Sequence, residues 1–334
     1  MSPIAVIGGG SWGTALARHL AVKGYPIRMW VYETEVVQNI NARHENHLFL
    51  PGITLPDNVT AYHDMSEVVR NIKSVVMVVP SHFFRKVALE MARHLPEDAS
   101  VISASKGIED NTHKVMTQIL EEILPTSYHE RIACLSGPSF AREVAASKFT
   151  AVTVASKNPE TARYFQKIFA APHFRAYTHH DPIGVQIGGA LKNIMAIAVG
   201  IADGMEMGTN ARAALITRGL AEISRIGKKM GANPSTFLGL SGIGDLVLTC
   251  TGDLSRNRNV GLKLGQGLKI EEITRDMRMV AEGVLNTKSA HQLTEKLGVR
   301  APIISGMYHL LYEGMPLKEV VDRILSTEPG EEFE

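Results

Sequence analysis

The sequence predicts an α/β N-terminal domain with a mostly parallel sheet, followed by an all-α C-terminal domain. Three observations predict it. Short apolar runs alternate with helical periodicity as far as about Asp181, the pattern of a parallel sheet with helices on both faces. Beyond that point strands stop and helices follow one another. The length, 334 residues, suffices for two domains with separate cores. The boundaries read as 1–180 and 181–330, with a tail at 331–334.

Taken in order, residues 4–7 form an apolar run that ends in glycines, the mark of a buried parallel strand. Residues 11–22 have helical periodicity through Trp12, Ala15, Leu16 and Leu20, and Gly24 closes that helix. Further strands are expected at 27–31, 75–79, 101–103, 132–135, 150–155 and 174–177. The helices of the second domain are expected at 182–201, 210–230 and 280–297. The end of the chain, from Glu328, is acidic.

Apolar residues make up 45% of the chain, and 35 Lys and Arg balance 34 Asp and Glu to a net charge of +1. That balance argues against a broad nucleic-acid or membrane surface and leaves room for one small basic pocket. Two distant cysteines, Cys134 and Cys250, form no disulfide framework and no C-x-x-C pair, which suits a reducing cytoplasm. The longest strongly apolar stretch, 194–202, is shorter than a bilayer requires. The N-terminus runs directly into a strand and reads as having no signal peptide.

Gly8-Gly9-Gly10-Ser11-Trp12-Gly13 fits G-x-G-x-x-G between a strand and a helix, the context in which the motif signals a Rossmann-type dinucleotide site. Gly8 makes the turn, Gly10 lets the backbone approach a pyrophosphate, and Gly13 lets helix and strand pack closely. The helix N-terminus then faces the anion. Glu33 lies twenty residues after Gly13, where a carboxylate bonds the ribose hydroxyls of NAD and repels the 2′-phosphate of NADP. In the alternative, Glu33 is a solvated loop residue and Tyr32 meets the ribose.

Lys192 sits in an almost wholly apolar helix, beside a face shared by Gln186 and Asn193. An ammonium there is partly desolvated, its pKa moves toward neutrality, and it can protonate a carbonyl oxygen as hydride arrives. The alternative is a lysine snorkelling to the helix rim. Gly188 and Gly189 invite another backbone or a ligand to come close. Lys106 follows the strand at 101–103, at the sheet end where α/β proteins bind ligands, or else is a surface loop lysine. Ser139, in Ser136-Gly137-Pro138-Ser139-Phe140-Ala141, faces the same end or simply caps a helix.

In the second domain, Asp245 follows a glycine-rich Ser241-Gly242-Ile243-Gly244, as a solvated turn residue or on one helical face with Thr249. Ser255-Arg256-Asn257-Arg258-Asn259 is a polar loop whose guanidinium and amide suit a phosphate, or which is merely solvated. Thirteen histidines form no compact metal set, so no metal is expected. His179 and His180 read as linker and helix cap, and Cys134 as core rather than nucleophile.

The glycine loop with Thr14-Ala15, Phe49-Leu50-Pro51-Gly52, Leu55-Pro56, Ser105-Lys106-Gly107 and the Ser136–Ala141 stretch come in one order. Ala190-Leu191-Lys192-Asn193, Gly242–Leu246 and Ser255-Arg256-Asn257 complete it. In that order the chain resembles the NAD(P)-dependent glycerol-3-phosphate dehydrogenase family over nearly its whole length. The resemblance implies reversible hydride transfer between NAD(P)H and dihydroxyacetone phosphate, giving sn-glycerol 3-phosphate for phospholipid synthesis. It implies Lys192 as general acid/base and substrate contacts at Lys106, Gly137, Ser139, Lys192, Asp245, Ser255, Arg256 and Asn257. Cofactor contacts are implied at Ser11, Trp12, Tyr32, Lys106, Ala141, Arg256, Val280 and Glu282, beside Gly8, Gly10, Gly13 and Glu33 of the motif reading. The stretch Met29–Glu33 has no Arg of the kind that suits a 2′-phosphate in many bacterial members, so NAD is favoured and NADP remains open. A homodimer is expected from the apolar helices of the second domain. Rival readings are a ketopantoate or hydroxyacyl reductase of the same plan, and a dinucleotide-sensing module without turnover.

Overall fold

The computed structural model describes residues 1–275 and 281–326. They form two compact units. Unit 1 holds Met1–Lys106 and Val115–Pro182; unit 2 holds Gly107–Lys114 and the chain from Ile183 onward.

Unit 1 alternates strand and helix as its sequence requires. The order is β1 (Ile4–Ile7), α1 (Ser11–Val22), β2 (Ile27–Trp30), α2 (Thr34–Arg43), β3 (Val59–Tyr62), α3 (Met65–Val69), β4 (Ser74–Met77) and α4 (Ser81–Ala92). There follow β5 (Ser100–Ser103), α5 (Met116–Ile123), β6 (Ile132–Ser136), α6 (Ala141–Ala145), β7 (Thr150–Ala155), α7 (Pro159–Phe169) and β8 (Phe174–His179). The strands make one sheet in the order β3-β2-β1-β4-β5-β6-β7-β8. All pairs are parallel except β6 with β7, so β7 and β8 run against the other six. The chain order turns back between β1 and β4, the switch point at which such sheets bind ligands.

Both faces are buried. On β1, Ile4 and Val6 join the core under α1 and α2, while Ala5 and Ile7 join the core under α4 and α5. That two-sided burial is why the strands read as continuous apolar runs. β3 escaped the sequence reading because it is only four residues long and buried at Val59 and Ala61 alone, too short an alternation to stand out, whereas the six-residue edge strand β8 was legible. His179 belongs to β8, not to a linker; its Nδ1 accepts the Asp181 N–H at 3.0 Å. Cys134 is buried, and burial pushes its thiol pKa up, which suits core rather than nucleophile.

His19 ties α1 to α7. Its ring is 3% exposed and bonds the Phe169 carbonyl through Nε2 at 2.7 Å. Burial holds its pKa down, from 6.5 to about 4. The unfolded chain therefore takes up this proton before the folded one does, so stability falls as pH drops from 6.5 toward 4. At pH 5 this one group should remove about 2 kcal/mol. Thermal melts at pH 7 and pH 5 check this: the drop in Tm should shrink in His19→Gln, and an unchanged drop assigns the effect to other groups.

Unit 2 is built from α8 (Pro182–Gly204), α9 (Gly208–Lys229), α10 (Asp245–Thr251), α11 (Arg256–Gly265), α12 (Ile270–Arg275), α13 (Glu282–Leu297), α14 (Pro302–Tyr312) and α15 (Leu317–Leu325). α8 runs longer than its apolar stretch suggested. By length and hydropathy its 23 residues could cross a membrane, but the qualifying window is 100% buried inside the protein. The helix is thus sequestered by protein, the position of a core helix. Glycines let α11 lie against it: a Cβ at Gly200 would stand 2.1 Å from the Arg258 carbonyl oxygen, and one at Gly261 2.0 Å from that of Ile197. At the start of α14 the N-cap is Ala301, which has no capping side chain. The Glu222 carboxylate replaces it, accepting the Ile303 and Ile304 N–H groups at 2.8 and 3.2 Å. Burial raises its pKa to about 7 against the pull of those two N–H groups.

Candidate active site

In unit 1 the glycine loop connects β1 to α1. Gly8 has φ +124°, and a Cβ there would meet the Val78 carbonyl oxygen at 2.3 Å. A Cβ on Gly13 would stand 2.0 Å from the Gly8 oxygen, whereas one on Gly10 would meet nothing within 4 Å. The loop is therefore tight beneath and open above. Asn46, fully buried, clamps it: Nδ2 donates to the Gly9 carbonyl at 2.7 Å and to Thr14 Oγ1 at 2.8 Å. Ser11 donates its hydroxyl to the Phe49 carbonyl at 2.6 Å, so its side chain anchors the 46–52 loop. Trp12 Nε1 is buried with no hydrogen-bond partner. An open glycine backbone and a helix N-terminus together fit a dinucleotide pyrophosphate. Asn46 was not legible as a site residue, since a lone Asn in a loop carries no pattern.

The other candidates of unit 1 have the following surroundings. Glu33 is half-buried and is the N-cap residue of α2, with no side-chain capping bond. Tyr32 is 70% exposed, its ring 6.3 Å from that of His63 at the end of β3. Lys106 is half-buried just beyond β5. Gly137 has φ +145° and packs on the Val152 backbone. Ser139 does not cap a helix: its hydroxyl donates to the Gly137 carbonyl at 2.9 Å, and the N-cap of α6 is Phe140. Ala141 packs at the start of α6 against the core under α1.

In unit 2 the sequence candidates converge. Lys192 is 6% exposed and does not snorkel. Its Nζ donates to Asp245 Oδ1 at 2.5 Å and to Thr249 Oγ1 at 2.6 Å. Asp245 is not a solvated turn residue; it is 0% exposed and opens α10. The preceding glycines explain the close approach. A Cβ on Gly188 would stand 2.4 Å from the Ser241 carbonyl oxygen, so the backbone before α10 lies directly on α8. One turn along α10, Thr249 Oγ1 also bonds the Asp245 carbonyl at 2.6 Å. The buried ammonium therefore has a counter-charge and a fixed direction, without which burial would be prohibitive. Cys250, the next residue, has its thiol pKa pushed up to about 12 by burial and is no nucleophile.

Asn193 Nδ2 lies 3.4 Å from Glu282 Oε2. A Cβ on Gly283 would stand 2.6 Å from the Asn193 carbonyl oxygen and 2.7 Å from Asn257 Oδ1, so α8, α11 and α13 meet there. Asn257 Oδ1 accepts the Gly283 N–H at 2.9 Å. The expected polar loop at 255–259 is instead the first turn of α11. Ser255 is its N-cap, accepting the Arg258 N–H at 3.2 Å. The two arginines part company: Arg258 is tied at 2.8 Å to half-buried Asp203, while Arg256 is exposed at the first helical position. Val280 lies outside the described residues.

The family model for the N-terminus of NAD-dependent glycerol-3-phosphate dehydrogenase matches residues 3–162, and that for its C-terminus matches 181–322. A protein of Syntrophobacter fumaroxidans named glycerol-3-phosphate dehydrogenase (NAD(P)+) is 51% identical over 332 residues, covering 99% of this chain and 98% of that protein. The crystal structure of a glycerol-3-phosphate dehydrogenase from Coxiella burnetii superposes with a TM-score of 0.92 at 37% identity, covering 97% of this chain and 98% of that one. With both family models matched in order and the Lys192–Asp245–Thr249 cluster built into unit 2, the chain belongs to the NAD-dependent glycerol-3-phosphate dehydrogenase family.

Proposed function

We propose that this protein reduces dihydroxyacetone phosphate to sn-glycerol 3-phosphate with NAD(P)H, reversibly, with Lys192 as the general acid/base. The observation that carries the reading is the buried Lys192 ammonium, held at 2.5 Å by Asp245 and 2.6 Å by Thr249. Residues 1–180 hold the dinucleotide, through Gly8, Gly10, Ser11, Trp12 and Gly13, with Tyr32, Glu33, Lys106 and Ala141 around them. Residues 181–330 carry the proton donor and the phosphate contacts. The bound nicotinamide supplies hydride to the carbonyl carbon of the substrate.

Lys192 gives its proton to the carbonyl oxygen as negative charge develops there. Asp245 and Thr249 each accept a hydrogen bond from the ammonium and so restrict its orientation. In the reverse direction the amine takes the hydroxyl proton back. Arg256, at the start of α11, offers a guanidinium to the phosphate, beside the N–H groups of that helix end. Asn257 contributes through its amide nitrogen, because its oxygen is committed to Gly283. The family resemblance further assigns Gly137, Ser139 and Ser255 to the substrate and Glu282 to the cofactor. The product is a phospholipid precursor.

Glu33 favours NAD, since its carboxylate repels a 2′-phosphate. The test is loss of reduced-nicotinamide absorbance on adding dihydroxyacetone phosphate, with NADH and NADPH in parallel. Turnover with a higher kcat/KM for NADH is expected. Equal or better use of NADPH would remove the Glu33 argument, and no turnover with either would remove the dehydrogenase reading.

A further inference from the structure

Within unit 1, Asn46 is 0% exposed, so a ligand on the glycine loop does not reach it. Its amide nitrogen donates to the Gly9 carbonyl at 2.7 Å and to Thr14 Oγ1 at 2.8 Å. Its Oδ1 accepts the Phe49 N–H at 3.1 Å, and its main-chain carbonyl accepts the Leu50 N–H at 2.9 Å. The amide therefore has one orientation. Reversed, it would set an oxygen against the Gly9 carbonyl and an NH2 against the Phe49 N–H. Thr14 Oγ1 donates to the same Gly9 oxygen at 3.4 Å. The Ser11 hydroxyl, on the Phe49 carbonyl at 2.6 Å, closes the ring between the two loops.

The clamp acts on one peptide plane. In a trans peptide the carbonyl and the N–H point in opposite directions. Holding the Gly9 carbonyl toward Asn46 thus turns the Gly10 N–H away from it. Gly9 is also backed by β2's continuation, since a Cβ there would stand 2.6 Å from Val31 Cγ1. Gly10 is the N-cap of α1, and a Cβ on it would meet nothing within 4 Å. The N–H groups at the start of a helix have no partner inside it. An anion such as a pyrophosphate takes such groups.

We propose that Asn46 is a positioning residue for the dinucleotide pyrophosphate. By holding the Gly9–Gly10 peptide in one orientation, it keeps the N–H groups at the start of α1 aligned for the anion. This rests on the reading of the glycine loop as the pyrophosphate site.

The test is Asn46→Asp in the full-length protein. Kd values for NADH, ADP and adenosine are read from nicotinamide fluorescence and its displacement. Aspartate keeps the shape and the acceptor for Phe49 but sets an oxygen against the Gly9 carbonyl. NADH and ADP should each bind about tenfold more weakly, the scale of a hydrogen bond to a charged group, while adenosine, which has no phosphate, should stay within about twofold of wild type. A role in folding alone would weaken all three alike. Thr14→Val keeps the shape and removes one acceptor of the Asn46 amide; it should show the same pattern at about threefold, and it serves where a buried aspartate prevents folding. Equal losses for the three ligands, or unchanged NADH and ADP affinities in either folded variant, overturn the proposal. In the wild type, ADP binding no tighter than adenosine overturns the glycine-loop reading and the proposal with it. An ADP advantage that survives Asn46→Asp undiminished overturns the proposal alone.

Discussion

Lys192→Arg is expected to lose between about a hundredfold and ten-thousandfold in kcat, the range a positioned proton donor contributes. The cofactor dissociation constant should stay near the wild-type value. Arginine is the informative replacement because it keeps a cation beside Asp245, which is 0% exposed. Alanine would strand that carboxylate, and breaking a buried pair costs about 3–5 kcal/mol, enough to confuse lost chemistry with lost fold. A guanidinium preserves the charge and the hydrogen bonds but holds its proton too tightly to give it up. The variant therefore separates proton transfer from simple electrostatic attraction. Stopped-flow hydride transfer with NADH and dihydroxyacetone phosphate is the measurement. If Lys192→Arg retained most of its turnover, the ammonium would be an electrostatic anchor and the proton would come from elsewhere. Lys192→Met combined with Asp245→Asn removes both charges together and should be folded and equally inactive.

Gly261→Ala should destabilise the protein although alanine is the better helix former. Propensity favours the substitution by about 1 kcal/mol. Against it, the new Cβ would sit 2.0 Å from the Ile197 carbonyl oxygen and 2.9 Å from the Ile201 nitrogen, both backbone atoms of α8. Backbone cannot rotate away as a side chain can, so the helices must separate. That overpacking is expected at the upper end of its usual range, about 3 kcal/mol or more. The net loss should lower Tm by several degrees, roughly 2–4 °C for each kcal/mol in a domain of this size. The crossing also sets the distance between Lys192 on α8 and the Ser255–Asn257 turn of α11, so kcat/KM should fall with stability. A calorimetric melt decides it: a Tm at or above wild type would mean the helices slide apart without cost.

How much of this was readable beforehand follows the range of the forces involved. The glycine loop was legible because Gly8, Gly10 and Gly13 answer local demands: a positive φ, an open approach and a close helix–strand contact. The strands of unit 1 were legible where burial on both faces made them continuously apolar, and β3 was not, because its four residues are too few for an alternation buried only at Val59 and Ala61 to show. Lys192 was legible as an expensive charge in an apolar helix.

What the sequence by itself determined is the fold class, the dinucleotide loop and the presence of a lysine whose burial needs a reason, since each follows from neighbours within a few residues. What only the tertiary structure decided is which side chains answer them. Asp245 turns inward as the Lys192 partner, 53 residues away. Asn46 reaches back 37 residues to clamp Gly9. Of two adjacent-looking arginines, Arg258 is committed to Asp203 and Arg256 is left exposed. The physical reason is common to all three. A charged or polar side chain has similar local preferences whether solvated or buried, and only the packing of distant backbone, here through Gly188, Gly200 and Gly261, decides which one loses its water and must find a partner.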